Sequence, residues 1–164
     1  MIAALYVVVV FLGGGITHWF GLFLIPLVIY LGDSTAIGIA AGAFLSSFII
    51  PRDPLVLLSA VVGGASNYLA TILYARLYHL LERLPMIVRL EVSGLAACVL
   101  ITLIDGTRTL LSWQILFPQV TLGEIWAIAF GFSFFSINIL GVLIAYGLGN
   151  LLTVTERSRA VGRL

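Results

Sequence analysis

Lysine is absent from this chain. All eight cations are arginines, and charged residues make up 9% of the 164 positions against 62% hydrophobic. Soluble domains carry roughly a quarter charged residues, so a surface this poor in charge faces lipid rather than water. The mean hydropathy of +1.20 agrees. Alternation of apolar and polar residues is also missing: 55–62 and 96–103 are nearly continuous apolar runs, which argues against barrel strands and for helices. The single cysteine, Cys98, can form no internal disulfide and cannot hold zinc alone. A net charge of +1 offers no electrostatic basis for binding nucleic acid. No phosphate-binding loop, Gly-x-Ser-x-Gly or His-Glu-x-x-His motif occurs. No enzyme, cofactor or metal centre is therefore expected, and any transport must draw its energy from a partner. The first twelve residues look like a signal core but lack a basic start and a small-residue cleavage site, so they read as a retained helix.

Glycine, proline and charge divide what is present into one all-α transmembrane domain over 1–164, with six helices predicted near 1–12, 19–31, 35–50, 55–82, 85–104 and 122–152. A polar stretch, 105–121, separates the last two. The first three helices are short: thirteen residues reach only ~20 Å across a core of ~30 Å. Fusing 20–50 into one helix would place Asp33 in lipid, which is costly. With six spans, Arg76, Arg83, Arg89, Arg157, Arg159 and Arg163 fall on one side and Arg52 and Arg108 on the other. The positive-inside rule then puts both termini in the cytoplasm of a multi-pass cell-membrane protein.

Polar chemistry inside such a bundle marks the candidate sites. In the last helix Glu124, Gly131, Asn138 and Ala145 recur every seven residues and share a face, with Gly141, Ala145 and Gly149 as a close-packing ladder. Asn138 fits either an interhelical hydrogen bond or a solute contact. Glu124 fits either a ligand contact or a carboxylate at a helix N-terminus. The fourth helix aligns Ala60, Gly64, Asn67, Thr71 and Tyr74, as a packing seam or a cavity wall. Asp105 and Arg108 fall outside the predicted helices, where they either join a ligand site or pair at the surface. Trp19, Trp113 and Trp126 all map to the outer side. That placement suits a headgroup belt or a stacking surface for a flat ligand.

Several segments are similar to the QueT-like substrate-binding (S) components of energy-coupling-factor importers. They are Ala3-Ala4-Leu5-Tyr6-Val7-Val8, Ile25-Pro26-Leu27 through Gly32 to Gly38 and Gly42, Ser47-Phe48-Ile49-Ile50-Pro51, Gly63-Gly64-Ala65-Ser66, and Val120-Thr121-Leu122-Gly123-Glu124. The Arg-x-Ser-Glu-Ala segment of that family is replaced by Gly21-Leu22-Phe23-Leu24-Ile25. The resemblance implies a six-helix binder of a vitamin-like or nucleobase-like micronutrient, with Glu124 as a contact. It also implies docking on a transmembrane coupling protein driven by two cytoplasmic ATPases. Its rival is a scaffold resembling the MreD-like morphogenesis proteins, or an accessory subunit of a larger membrane complex. Such a subunit would use the same small-residue faces for protein contacts.

Overall fold

The computed structural model describes residues 1–12, 18–49 and 55–161, with 18–20 and 153–161 described at the level of the backbone. Six helices make up these residues, with no strand among them. They are α1 (Ile2–Leu12), α2 (18–31), α3 (Ser34–Ser46), α4 (Val56–Leu80), α5 (Met86–Leu116) and α6 (122–161). Three are long and apolar enough to cross a membrane: α4, α5 and the Leu122–Leu152 part of α6. The chain is a membrane-embedded helical bundle, and α1 to α3 are its shorter members.

Two helices differ in kind from the expectation. The fifth does not stop near 104; it continues to Leu116, so most of the stretch read as a polar loop is helix. A π segment, Thr102–Gly106, carries it past Asp105. Apolar Leu110, Leu111, Ile115 and Leu116 then sustain it until Pro118. The second helix is mostly a 3-10 coil, His18–Leu27, with α geometry only over Val28–Leu31. Pro26 lies inside the tight coil and has no N–H to donate to the preceding turn. Gly32 ends α2 at φ 77°, a left-handed conformation that residues with a Cβ resist. The expected end of helix 3 at Ile50 and the positions of Arg52 and Arg163 lie outside the described residues.

Glycines fix how the helices meet. A Cβ on Gly38 would strike Ile2, and one on Gly42 would strike Tyr6; the constant offset makes α1 and α3 parallel. Gly64 abuts the Ala40 carbonyl on α3, and Gly94 of α5 sits under Asn138 of α6. The ladder of α6 packs as its spacing implies. Gly141 lies against the Phe23 carbonyl and Pro26, and the Ala145 carbonyl accepts a hydrogen bond from the Tyr30 hydroxyl at 2.7 Å. Gly149 meets Tyr30 and Met86. Contact of Met86 with Gly149 places the start of α5 and the C-terminal half of α6 at one end of the bundle. Leu116, Thr121 and Trp126 lie at the other.

Candidate functional site

Two polar clusters are buried where hydrocarbon would be expected. The first lies between α4 and α5. Asp105 and Arg108 are 1% and 6% exposed, one helical turn apart, which brings carboxylate and guanidinium together. Arg108 donates to Asp105 Oδ1 from Nη2 at 2.6 Å and from Nε at 3.1 Å. Its Nη1 donates across to Ser59 Oγ on α4 at 2.9 Å. Gly63, one turn along α4 from Ser59, faces the carboxylate: a Cβ there would lie 3.6 Å from Asp105 Oδ1, an ordinary contact. A turn deeper, Asn67 donates from Nδ2 to the Tyr6 hydroxyl of α1 at 3.4 Å. Tyr6 is fully buried. Three helices therefore contribute to one polar patch.

The π segment explains how this patch arises. Its wider turn inserts a residue into α5, so Asp105 looks toward α4 while neighbouring Gly106 lies against Trp126 and Ala129 of α6.

The second cluster joins α5 and α6. Asn138, itself within a π segment (Phe135–Gly141), donates from Nδ2 to both the Glu91 carbonyl and Glu91 Oε2, each at 2.9 Å. Its Oδ1 accepts from Cys98 Sγ at 3.3 Å. These partners nearly exhaust what an amide can do, so Asn138 stands as an interhelical clasp. Glu91 turns half-buried onto it.

Other expected site residues are dispersed. Glu124 is exposed and closes a capping box: the Thr121 N–H and hydroxyl each donate to Glu124 Oε2 at 2.8 Å, and the Glu124 N–H donates to Thr121 Oγ1 at 3.3 Å. Trp126 donates from Nε1 to Thr107 Oγ1 at 3.2 Å, on the far side of α5 from Asp105. Trp113 is partly exposed and meets Phe117 edge-on at 6.1 Å. Trp19 lies in the 3-10 coil of α2, and its side chain is outside the described residues. The structure thus brings Asp105, Arg108 and Asn67 together, and leaves Asn138, Glu124, Trp113 and Trp126 elsewhere.

No family model, curated protein or solved structure matches this chain.

Residue reasoning missed Tyr6 and Ser59 as members of the patch. Ser59, Gly63, Asn67 and Thr71 recur every four residues, which was a usable signal. Tyr6 carried none, because its role depends on α1 packing against α3 and α2, which in turn lie against α4.

Proposed function

We propose that the chain is the solute-binding subunit of an energy-coupling-factor type importer. In this reading it spans the cell membrane six times with both termini in the cytoplasm. It captures a vitamin-like or nucleobase-like micronutrient at the outer end, where Asp105 and Arg108 lie. A transmembrane coupling protein and two cytoplasmic ATPases complete the machine, since the chain carries no nucleotide-binding motif.

The observation that supports this reading is the buried Asp105–Arg108–Ser59 group beside Asn67 and Tyr6. An ion pair in a low-dielectric interior adds little net stability, and ionisable groups inside membranes mark solute or ion pathways by default. The scaffold reading retains one observation of its own. Gly123, Ala127 and Gly131 form an exposed row on α6 with open space at both glycines, and such rows suit a neighbouring helix.

Mass spectrometry of small molecules retained by the detergent-purified protein is the test. Wild type is expected to carry a solute, and the charge-neutral double variant Asp105→Asn with Arg108→Gln to retain at least about tenfold less at unchanged helical content. Ser59→Ala, a milder change, is expected to fall between. Equal retention in all three, or a wild-type protein that carries no solute and co-purifies with cell-wall proteins, overturns the reading.

A further inference from the structure

Arg89 reaches from the first turn of α5 onto the last turn of α4. Its Nε donates to the Tyr78 carbonyl at 2.9 Å, and its guanidinium carbon lies 3.8 Å from the centre of the Tyr78 ring. Tyr78 belongs to the core, and Arg89 is half-buried. The ring face and the negative end of the α4 dipole both favour a cation here. Nε is only one of the donors a guanidinium carries. Those on Nη1 and Nη2 have no partner among the described residues. Nor does any carboxylate of the described residues pair with Arg76, Arg83 or Arg89. Glu82 lies in the same hairpin without reaching them, and Glu91 is taken up by Asn138.

Capping of α4 accounts for Nε alone, and a lysine would serve that role as well. Stacking on Tyr78 fixes the plane of the guanidinium, so Nη1 and Nη2 form a rigid fork matched to two oxygens of an anion. An unpaired cation beside hydrocarbon is costly, and an anion completes the arrangement. The surroundings select which anion. Val88 and Val92, before and after Arg89 on α5, are 38% and 44% exposed, and Leu80 and Leu84 of the hairpin are exposed too. The 31 residues of α5 extend about 46 Å, enough for the hydrocarbon core and both headgroup zones. Its first turn therefore lies at headgroup depth. A phospholipid places phosphate at that level and runs its acyl chains along Val88 and Val92. A water-soluble acidic segment would have to displace those chains.

We propose that Arg89, seated on Tyr78, binds the phosphate of an anionic phospholipid at the end of the bundle where α5 begins. Such a lipid site lies beyond the solute-binding reading and does not rest on it. Arg76 and Arg83 are exposed at the same end of the α4–α5 hairpin, and basic residues near a charged bilayer surface add attraction without fixed geometry. A zwitterionic lipid carries its own ammonium beside the phosphate, which competes with Arg89 for it. A lipid with net negative charge has no such competitor.

Native mass spectrometry of the protein reconstituted in equimolar phosphatidylglycerol and phosphatidylcholine reads the preference directly. Phosphatidylglycerol is expected to be enriched about tenfold among the lipids that wild type retains; equal retention of the two overturns the proposal. Arg89→Gln is expected to reduce the enrichment to about twofold. Arg89→Lys keeps the charge but not the fork, and is expected to fall between; it carries the comparison if Arg89→Gln does not fold. The double variant Arg76→Gln with Arg83→Gln is expected to keep most of the enrichment. Enrichment lost in that double variant and untouched by Arg89→Gln would reduce the effect to diffuse surface charge and overturn the clamp. Thermal unfolding in phosphatidylcholine then separates the sources of the anion. Added phosphatidylglycerol is expected to raise the Tm of wild type, and inorganic phosphate or oligoglutamate at equal charge is not. An equal rise with either soluble anion overturns the assignment to lipid. A lower Tm of Arg89→Gln in phosphatidylcholine alone reports the lost α4 cap. The cap by itself leaves the lipid-dependent increment unchanged, so an undiminished increment in Arg89→Gln also overturns the proposal.

Discussion

Asn138 shows what a single amide must do to survive in hydrocarbon: both ends of it are occupied, by Glu91 on one side and Cys98 on the other. Asn138→Leu keeps the branched shape but removes the donor to the Glu91 carboxylate. A stability loss of about 1–3 kcal/mol is expected, read as earlier unfolding in a denaturing-detergent titration. Gly94→Val tests the same contact from below, since a side chain there meets the Asn138 amide at 2.9 Å. It is expected to be the more damaging of the two, because backbone separation rather than one bond is lost. Glu124 belongs to a different category. Its carboxylate serves Thr121, and Thr121→Val is expected to cost about 1 kcal/mol in the same titration. A titration unmoved by Thr121→Val would leave the capping box without energetic weight.

Both π segments change which residues share a face, and this is why heptad spacing misjudged α6. Glu124, Gly131, Asn138 and Ala145 are evenly spaced in sequence, yet the first two are exposed and the last two buried. The wider turns of Phe135–Gly141 rotate the C-terminal part of the helix relative to the N-terminal part. That rotation lets Gly141, Ala145 and Gly149 face α2 while Ala129 faces α5. Deleting Ile139, an exposed residue within the segment, should restore plain α geometry and swing Ala145 by about 100° away from Tyr30. Loss of monodisperse protein in size-exclusion chromatography is expected, whereas Ile139→Ala should remain folded. A well-folded deletion variant would show that the π turn is dispensable. At the other end of the scale of severity, Gly32→Ala forces a Cβ into a left-handed residue and is expected to cost about 1 kcal/mol.

The whole bundle has two ends, and polar residues divide between them. Glu82, Arg83 and the start of α5 lie at one; Gln114, Thr121 and Trp126 lie at the other. Cysteine at Gln114, which is exposed, is expected to react with a membrane-impermeant reagent added outside intact cells, and cysteine at Glu82 only after permeabilisation. The opposite pattern would invert the proposed orientation and place the Asp105–Arg108 patch near the cytoplasm. Composition by itself determined that this chain is helical and lies in a membrane, because so few charges and such long apolar runs leave no other way to satisfy the backbone in lipid. Punctuation by glycine and proline likewise marked six helices, since those residues act locally on φ and on backbone donors. Only the tertiary structure decided that Asp105 and Arg108 are buried rather than exposed in a loop. Apolar residues beyond them continue the helix, and a π turn aims the pair at Ser59. It also decided that Tyr6 meets Asn67, sixty-one positions away. Contacts of that kind follow from how the whole bundle is assembled, and local periodicity carries no information about neighbours so distant in the chain.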